Sequence, residues 1–283
     1  MAAVANLVRA TMAHPIGRRQ PIRSFSRILG WQLRSRLSRR AIRHPWISGS
    51  SLIVQTGMAG ATGNIYWGLH EFADMAIVIH LLRAGDLMLD IGANVGSYTV
   101  LAAKVVGARV EAFEPAIETR PKLLANVTAN DIAELVTIHD CALGDRDGEI
   151  EFSVGLDCVN RVGAPGATRP VPLRGLDTVA ASLNPVMIKI DVEGFEPQLF
   201  AGADETLSKP TLRLIETETL DPTILDQLAR HGFERRYYDP FARTLAAAPV
   251  GIATNNALFV RDEPWVAERL RTAPRRDVLG ISL

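Results

Sequence analysis

The chain has 283 residues, 47% hydrophobic and 22% charged, with 31 basic and 31 acidic side chains and a formal net charge of zero. That composition belongs to a globular protein with a full core, and it excludes disorder, collagen-like repeats and a disulfide scaffold. The zero is a cancellation. The first 70 residues hold ten Arg, from Arg9 to Arg43, and no Asp or Glu, so the other 213 hold 21 basic and 31 acidic residues. Two cysteines, Cys141 and Cys158, with no secretory segment, predict a cytoplasmic protein. No apolar run approaches the ~20 residues that cross a bilayer.

Residues 1–20 are small and basic without a sustained period, and loose order is expected there. Phe25, Ile28, Leu29, Leu33 and Leu37 then recur at three- and four-residue steps, a helical stripe in an Arg-rich segment that Pro45 should end. Residues 47–64 read as a connector, and Glu71 to Arg83 as a second helix capped by Gly85. Strand-like and helix-like segments alternate after that: strands at 87–91, 109–113, 136–139, 186–190 and 211–215, with helices between them. This predicts βαβ units and a parallel sheet covered on both faces. Residues 155–170 read as a long loop, 233–238 and 257–260 as closing strands, and 264–272 as a last helix. The expected organisation is a basic extension with an amphipathic helix (1–65), one α/β domain (66–262) and a C-terminal helix and tail (263–283).

The chemistry is concentrated where strands end. Asp90-Ile91-Gly92-Ala93-Asn94-Val95-Gly96 lies at the first strand-to-helix turn. Gly92 and Gly96 allow unusual dihedrals and close backbone approach there, and sheets of this type bind ligands outside their carboxyl ends. The run lacks the Gly-x-Gly-x-x-Gly spacing of a dinucleotide site, and Asp90 would repel a pyrophosphate while attracting a cationic ligand. Glu114 ends the second strand, where an acid can accept both hydroxyls of a ribose. A cofactor with a ribose, a cation and no pyrophosphate fits S-adenosylmethionine. Asp140 and Cys141 follow the third strand, Asp191 and Glu193 the fourth, and Glu216 the fifth, so four consecutive strand ends present carboxylates to one rim.

The runs LMLDIGANVGSYTVLAA, VEAFEP, CALGDRDGEIEF and MIKIDVEGFEPQLFAGA resemble the FkbM-type S-adenosylmethionine-dependent methyltransferases over roughly residues 66–260. The resemblance implies the class I methyltransferase sandwich, a mostly parallel seven-stranded sheet with its last strand antiparallel. It also implies cofactor binding by Asp90, Gly92, Asn94 and Gly96, ribose contact by Glu114, and adenine contact near Asp140 and Cys141. Asp191 and Glu193 would lie beside the transferred methyl group. Acceptors in that family are mostly sugar hydroxyls, or hydroxyls and carboxylates of natural products.

The expected activity is O-methylation of a sugar, glycan or natural product, with Asp191, Glu193 or Glu216 taking the proton and His70 in reserve. Alternatives are N- or carboxyl-methylation on the same fold, or a non-catalytic cofactor-binding partner protein; the glycine spacing disfavours a nicotinamide oxidoreductase. Glu71 reads equally as a helix N-terminal charge or as a contact for the cofactor's ammonium tail. No metal-ligand spacing is present, so a divalent metal is neither required nor excluded. The Arg-rich helix has three readings. Its apolar stripe packs on the domain with Arg outward, it makes a lid or homodimer contact, or it docks on an anionic membrane or lipid-linked glycan. Without aromatic interleaving it is a poor nucleic-acid surface.

Overall fold

The computed structural model describes residues 2–38, 40–55, 57–153 and 167–283. The chain begins with three helices, α1 (Ala2–Ala13), α2 (Pro15–Arg19) and α3 (Pro21–Leu37). A hairpin of β1 (Ile42–Pro45) and β2 (Ser51–Val54) leads to α4 (Ala59–Trp67) and α5 (Phe72–Leu81). The α/β part opens with β3 (Leu87–Ile91) and α6 (Ser97–Val100), which continues as a π-helical stretch, Leu101–Val106. Then come β4 (Arg109–Phe113), α7 (Arg120–Ala129) and β5 (Val136–His139). A small sheet of β6 (Ala142–Gly144), β7 (Gly148–Ser153) and β8 (Thr168–Gly175) follows. The chain continues through α8 (Leu176–Ala180), β9 (Met187–Ile190), α9 (Glu196–Ala201), α10 (Asp204–Ser208), β10 (Leu214–Thr217) and α11 (Pro222–Arg230). It closes with β11 (Glu234–Asp239), β12 (Thr244–Ala246), β13 (Ala257–Val260), α12 (Glu263–Thr272) and a terminal hairpin of β14 (Asp277–Val278) and β15 (Ile281–Ser282).

The main sheet has the order β12-β11-β13-β10-β9-β3-β4-β5. Strands β5, β4, β3, β9 and β10 are parallel, and β13 is antiparallel to both β10 and β11. The fold is therefore the expected class I methyltransferase sandwich. It has eight strands rather than seven, because the turn after β11 lets β12 fold back as a short edge strand. Side-chain alternation sends Met88, Val110, Met187 and Leu214 to the core beneath α5 and α6, and Leu89, Ile91, Ile188 and Ile215 to the opposite core. Strands buried on both faces explain the near-continuous apolar runs in the sequence.

The N-terminal 65 residues depart most from expectation. Residues 2–13 and 15–19 are helical, and the segment 47–64 contains β2 and most of α4 rather than a plain connector. Helix α3 ends at Leu37, before Pro45, which closes β1 instead. Ile16, Ile28 and Trp31 belong to the same apolar cluster as Met88, Leu101 and Val110. Two buried asparagines, Asn126 within α7 and Asn130 at its C-cap, hold the hairpin. Asn130 accepts from the Ser51 amide at 2.8 Å and donates to its carbonyl at 2.8 Å, while Asn126 accepts from the Ile53 amide at 2.6 Å. Asn126 also donates to the Val95 carbonyl at 2.7 Å, so one side chain ties the arm to the glycine turn. Most of the loop expected at 155–170, with Cys158, lies outside the described residues; its last residues, 168–170, open β8.

Candidate cofactor and methyl-transfer site

A pocket of about 660 Å³ opens where β3, β4 and β9 end. Gly92 and Asn94 come from the turn after β3, and Glu114, Pro115 and Ala116 from the turn after β4. Cys141, Ala142 and Leu143 follow β5, and Asp191, Val192 and Glu193 follow β9.

The turn is shaped by close backbone approach. Gly92 has φ +77°, and a Cβ there would meet the Asp191 carbonyl oxygen at 1.9 Å, so no other residue fits between the β3 and β9 ends. Gly96, at φ +86°, is the N-cap of α6, and a Cβ there would strike Leu123 at 2.4 Å. Asn94 and Glu193 are non-glycine residues held at φ +51° and +52°. Both line the pocket, and strained positions of this sort cluster at ligand sites.

Glu114 is buried, with Oε2 accepting from the Asn94 amide at 2.8 Å and Oε1 from the Ala116 amide at 2.8 Å. Each carboxylate oxygen keeps a lone pair for a further donor. Burial raises its pKa, against the two amides that favour the charged form. The apolar walls contributed by Phe113, Leu143 and Phe152 suit a flat base. The residues present thus fit S-adenosylmethionine: a vicinal-diol acceptor, an apolar slot, and the acids Asp191 and Glu193 toward a cation.

Other predicted residues lie elsewhere. Asp90 is wholly buried and does not line the pocket; its Oδ2 accepts from Thr99 Oγ1 at 2.6 Å, and its Oδ1 has no partner. Asp140 is also absent from the lining; its side chain is 70% exposed and pairs with Arg120 at 2.9 Å. Cys141 does line the pocket, and burial pushes its thiol up to about 11. His70 stacks on Trp67, 5.7 Å between ring centroids, with Nδ1 buried and unpartnered, and burial lowers its pKa.

Glu216 and Glu71 belong to a buried polar row behind the pocket, which the sequence did not disclose. In sheet register Lys189 stands between Asp90 on β3 and Glu216 on β10. Lys189 Nζ donates to Asp191 Oδ2 at 3.0 Å and to the Gly92 carbonyl at 3.2 Å, and lies 5.0 Å over the Tyr98 ring. Burial opposes its charge, but Asp191, Asp90 and Glu71 outweigh that and raise its pKa. The Tyr98 hydroxyl sits 2.7 Å from Glu71 Oε2 and 3.0 Å from Glu216 Oε1. It has one proton for two acids, so a protonated Glu216 completes the network. Burial, with Asp74 and Glu71 nearby, does raise Glu216 well above the carboxylate range. Asn256 donates to Glu216 at 2.9 Å, and Asn255 to Glu71 at 3.1 Å. A lysine inside the apolar run Met187–Ile190, one of four in the chain, was the available signal.

Glu218, just past β10, was also missed. Burial and the neighbouring Asp191, Glu193 and Glu196 raise it to about 7. Among the described residues no group of three or more His, Cys, Asp or Glu side chains is placed to hold a metal ion.

The model of the methyltransferase FkbM domain matches residues 90–235. The hexuronic acid methyltransferase AglP of Haloferax volcanii is 24% identical over 218 residues, covering 73% of this chain and 87% of that protein. Solved structures with some likeness include a precorrin-6y C5,15-methyltransferase from Geobacter metallireducens, at TM-score 0.38 and 14% identity, covering 68% of this chain and 87% of that one. Another is an S-adenosylmethionine-dependent O-methyltransferase from Thermotoga maritima, at TM-score 0.37 and 15% identity, covering 68% and 66%. A family model spanning more than half of the residues, on a sheet of this order with a pocket at its carboxyl edge, assigns the chain to the FkbM methyltransferase domain family, and it is an S-adenosylmethionine-dependent methyltransferase.

Proposed function

We propose that the protein methylates a hydroxyl of a sugar or glycan. The observation that carries this reading is the pocket edge lined by Asp191 and Glu193; burial, and then the charge of these two acids, raises the neighbouring Glu218 carboxylate to about 7. An alcohol is a weak nucleophile at neutral pH, and a general base works best when its pKa lies near the operating pH. Bound S-adenosylmethionine supplies an electrophilic methyl on a sulfonium cation. Glu114 takes the ribose hydroxyls, the backbone at Gly92 and Asn94 approaches the ligand closely, and Cys141 with Leu143 and Phe152 walls the base. Asp191 and Glu193 offer negative charge toward the cation, and Lys189 holds Asp191 in place. Glu218 accepts the hydroxyl proton as the new bond forms. Glu216 is buried in the core outside the pocket lining, where burial disfavours its charged form, and His70 is stacked on Trp67.

The named activity of the Haloferax volcanii relative supports a carbohydrate acceptor. It leaves two oxygens open on a hexuronate, a ring hydroxyl and the carboxylate. The test is transfer of labelled methyl from S-adenosylmethionine to hexuronate-bearing and neutral oligosaccharides, followed by mild alkali. An alkali-stable product, a methyl ether, is expected. Alkali-labile label identifies a methyl ester and overturns hydroxyl methylation, and transfer confined to non-carbohydrate acceptors overturns the reading altogether.

A further inference from the structure

Four apolar side chains of α3 face solvent: Ile22 at 82%, Leu29 at 62%, Leu33 at 55% and Leu37 at 87% exposure. Their spacing of seven, four and four residues puts them on one face of a helix about 25 Å long. Val4, Val8 and Met12 make a second exposed row on α1, and α1 packs against α3. Scattered exposed apolar residues need no explanation, whereas aligned rows on two contacting helices mark an interaction surface. The buried side of α3 is instead Ser24, Ile28, Trp31 and Ser35.

The surroundings of this face are cationic. Arg23, Arg27, Arg34 and Arg36 lie on α3, and no acidic residue precedes Glu71. Among the described residues, none of the arm's arginines forms an ion pair. Arg27 donates to the Tyr66 carbonyl and Ser24, and Arg43 to Ser51 and the Ala129 carbonyl. The acidic excess of the catalytic part therefore does not neutralise the arm. Along α3, beside the leucines, a cleft of about 580 Å³ is lined by Arg27, Gly30, Trp31, Arg34, His44 and Ile65. A side chain on Gly30 would meet nothing within 4 Å, and His44 Nδ1 is buried without a partner.

We propose that the α1–α3 face docks on an anionic phospholipid bilayer. Ile22, Leu29, Leu33 and Leu37 enter the headgroup–acyl boundary, and Arg27 and Arg34 take a headgroup phosphate at the cleft. An amphipathic helix with leucines on one face and arginines beside them has the chemistry of interfacial adsorption, and cations near an anionic surface add an electrostatic attraction. No described helix is long and apolar enough to cross a membrane, and the contact proposed is with the bilayer surface. The proposal rests on the arm alone and stands apart from the identity of the methyl acceptor.

The experiment is sedimentation of the full chain with phosphatidylcholine vesicles, with and without phosphatidylglycerol, at low and high salt. Retention on the anionic vesicles is expected, reduced by high salt and about tenfold weaker in the Leu29→Glu/Leu33→Glu variant. S-adenosylmethionine binding and the far-UV spectrum should stay as in the unaltered chain. If that variant does not fold, Arg34→Glu/Arg36→Glu at exposed positions carries the same test. Absence of retention, equal retention on neutral vesicles, or undiminished retention of a folded variant overturns the proposal. So does a concentration-dependent dimer that the variant abolishes without any vesicle binding, which would assign the face to a second copy of the chain.

Discussion

Lys189 stands in register with Asp90 across β9 and β3, and its ammonium ion-pairs at 3.0 Å with Asp191, two residues on at the end of its own strand. One buried cation thus serves an acid in the core and an acid at the pocket rim. Its hydrogen bond to the Gly92 carbonyl fixes the turn between them. Replacing it leaves Asp90 wholly buried with no cation opposite. Breaking a buried pair from one side costs ~3–5 kcal/mol. Because Asp191 is 33% exposed, Lys189→Met should lose about 3 kcal/mol, the low end of that range. Urea denaturation measures this; a variant as stable as the parent would show that the row is not a structural unit.

Glu114 carries the next prediction. Its two backbone bonds at 2.8 Å orient both carboxylate oxygens. Glu114→Gln keeps the shape but puts a donor where an acceptor is needed, so either the Asn94 or the Ala116 amide loses its partner. Hydrogen bonds to charged groups are worth ~1.5–3 kcal/mol, so S-adenosylmethionine affinity should fall about ten- to hundredfold. Titration calorimetry reads this directly. Affinity unchanged from the parent would remove Glu114 from the cofactor site.

The parts of this site that were legible in the sequence are those set by local chain geometry. Gly92 and Glu114 stand just past strand ends that the βα alternation marks and Gly96 caps the helix that follows, so their backbone geometry follows from turns of a few residues. Lys189, Tyr98 and Glu216 meet only through the sheet register and the docking of α6 on β3, β9 and β10, which no local pattern encodes. The arm shows a second limit. Ile28 and Trp31 form one apolar stripe and Leu29, Leu33 and Leu37 another, on nearly opposite sides of the helix. Periodicity registers both, but only packing decides that the first is covered and the second exposed. Glu218 escaped notice because its character comes from neighbours on another strand's loop.

Asp74 predicts a pH dependence of stability. It is buried beside Glu71, and burial raises its pKa from 3.8 to about 7. A folded-state pKa above the unfolded one means that the native protein holds the proton more tightly. This contribution is therefore present below pH 4 and lost as pH rises toward 7. His14, lowered by burial to about 4, acts with the opposite slope over a similar window, so the difference between variants is the clean readout. Relative to the parent, Asp74→Asn should gain stability between pH 4 and 7 and hold that gain above it. Urea midpoints at pH 5 and pH 8 test this; a constant offset between the two proteins would contradict the raised pKa.

Glu218 supplies the sharpest test of mechanism, since it lies beyond β10 and outside the buried row. Partial burial pushes its proton affinity up, and Asp191, Glu193 and Glu196 add to that by charge. As the proton acceptor it must be ionised, so the methyl-transfer rate should rise with pH through about 7 and then level. Glu218→Gln should reduce kcat by roughly 10²–10⁴, the usual contribution of a general base, and should flatten the rise, with S-adenosylmethionine binding intact. Asp191 and Glu193 gain from the same substitution, since one repelling charge is removed. A merely electrostatic role for Glu218 would then leave the pH profile in place with a modest change in rate. Only a base that takes the proton loses both the rate and its pH dependence together.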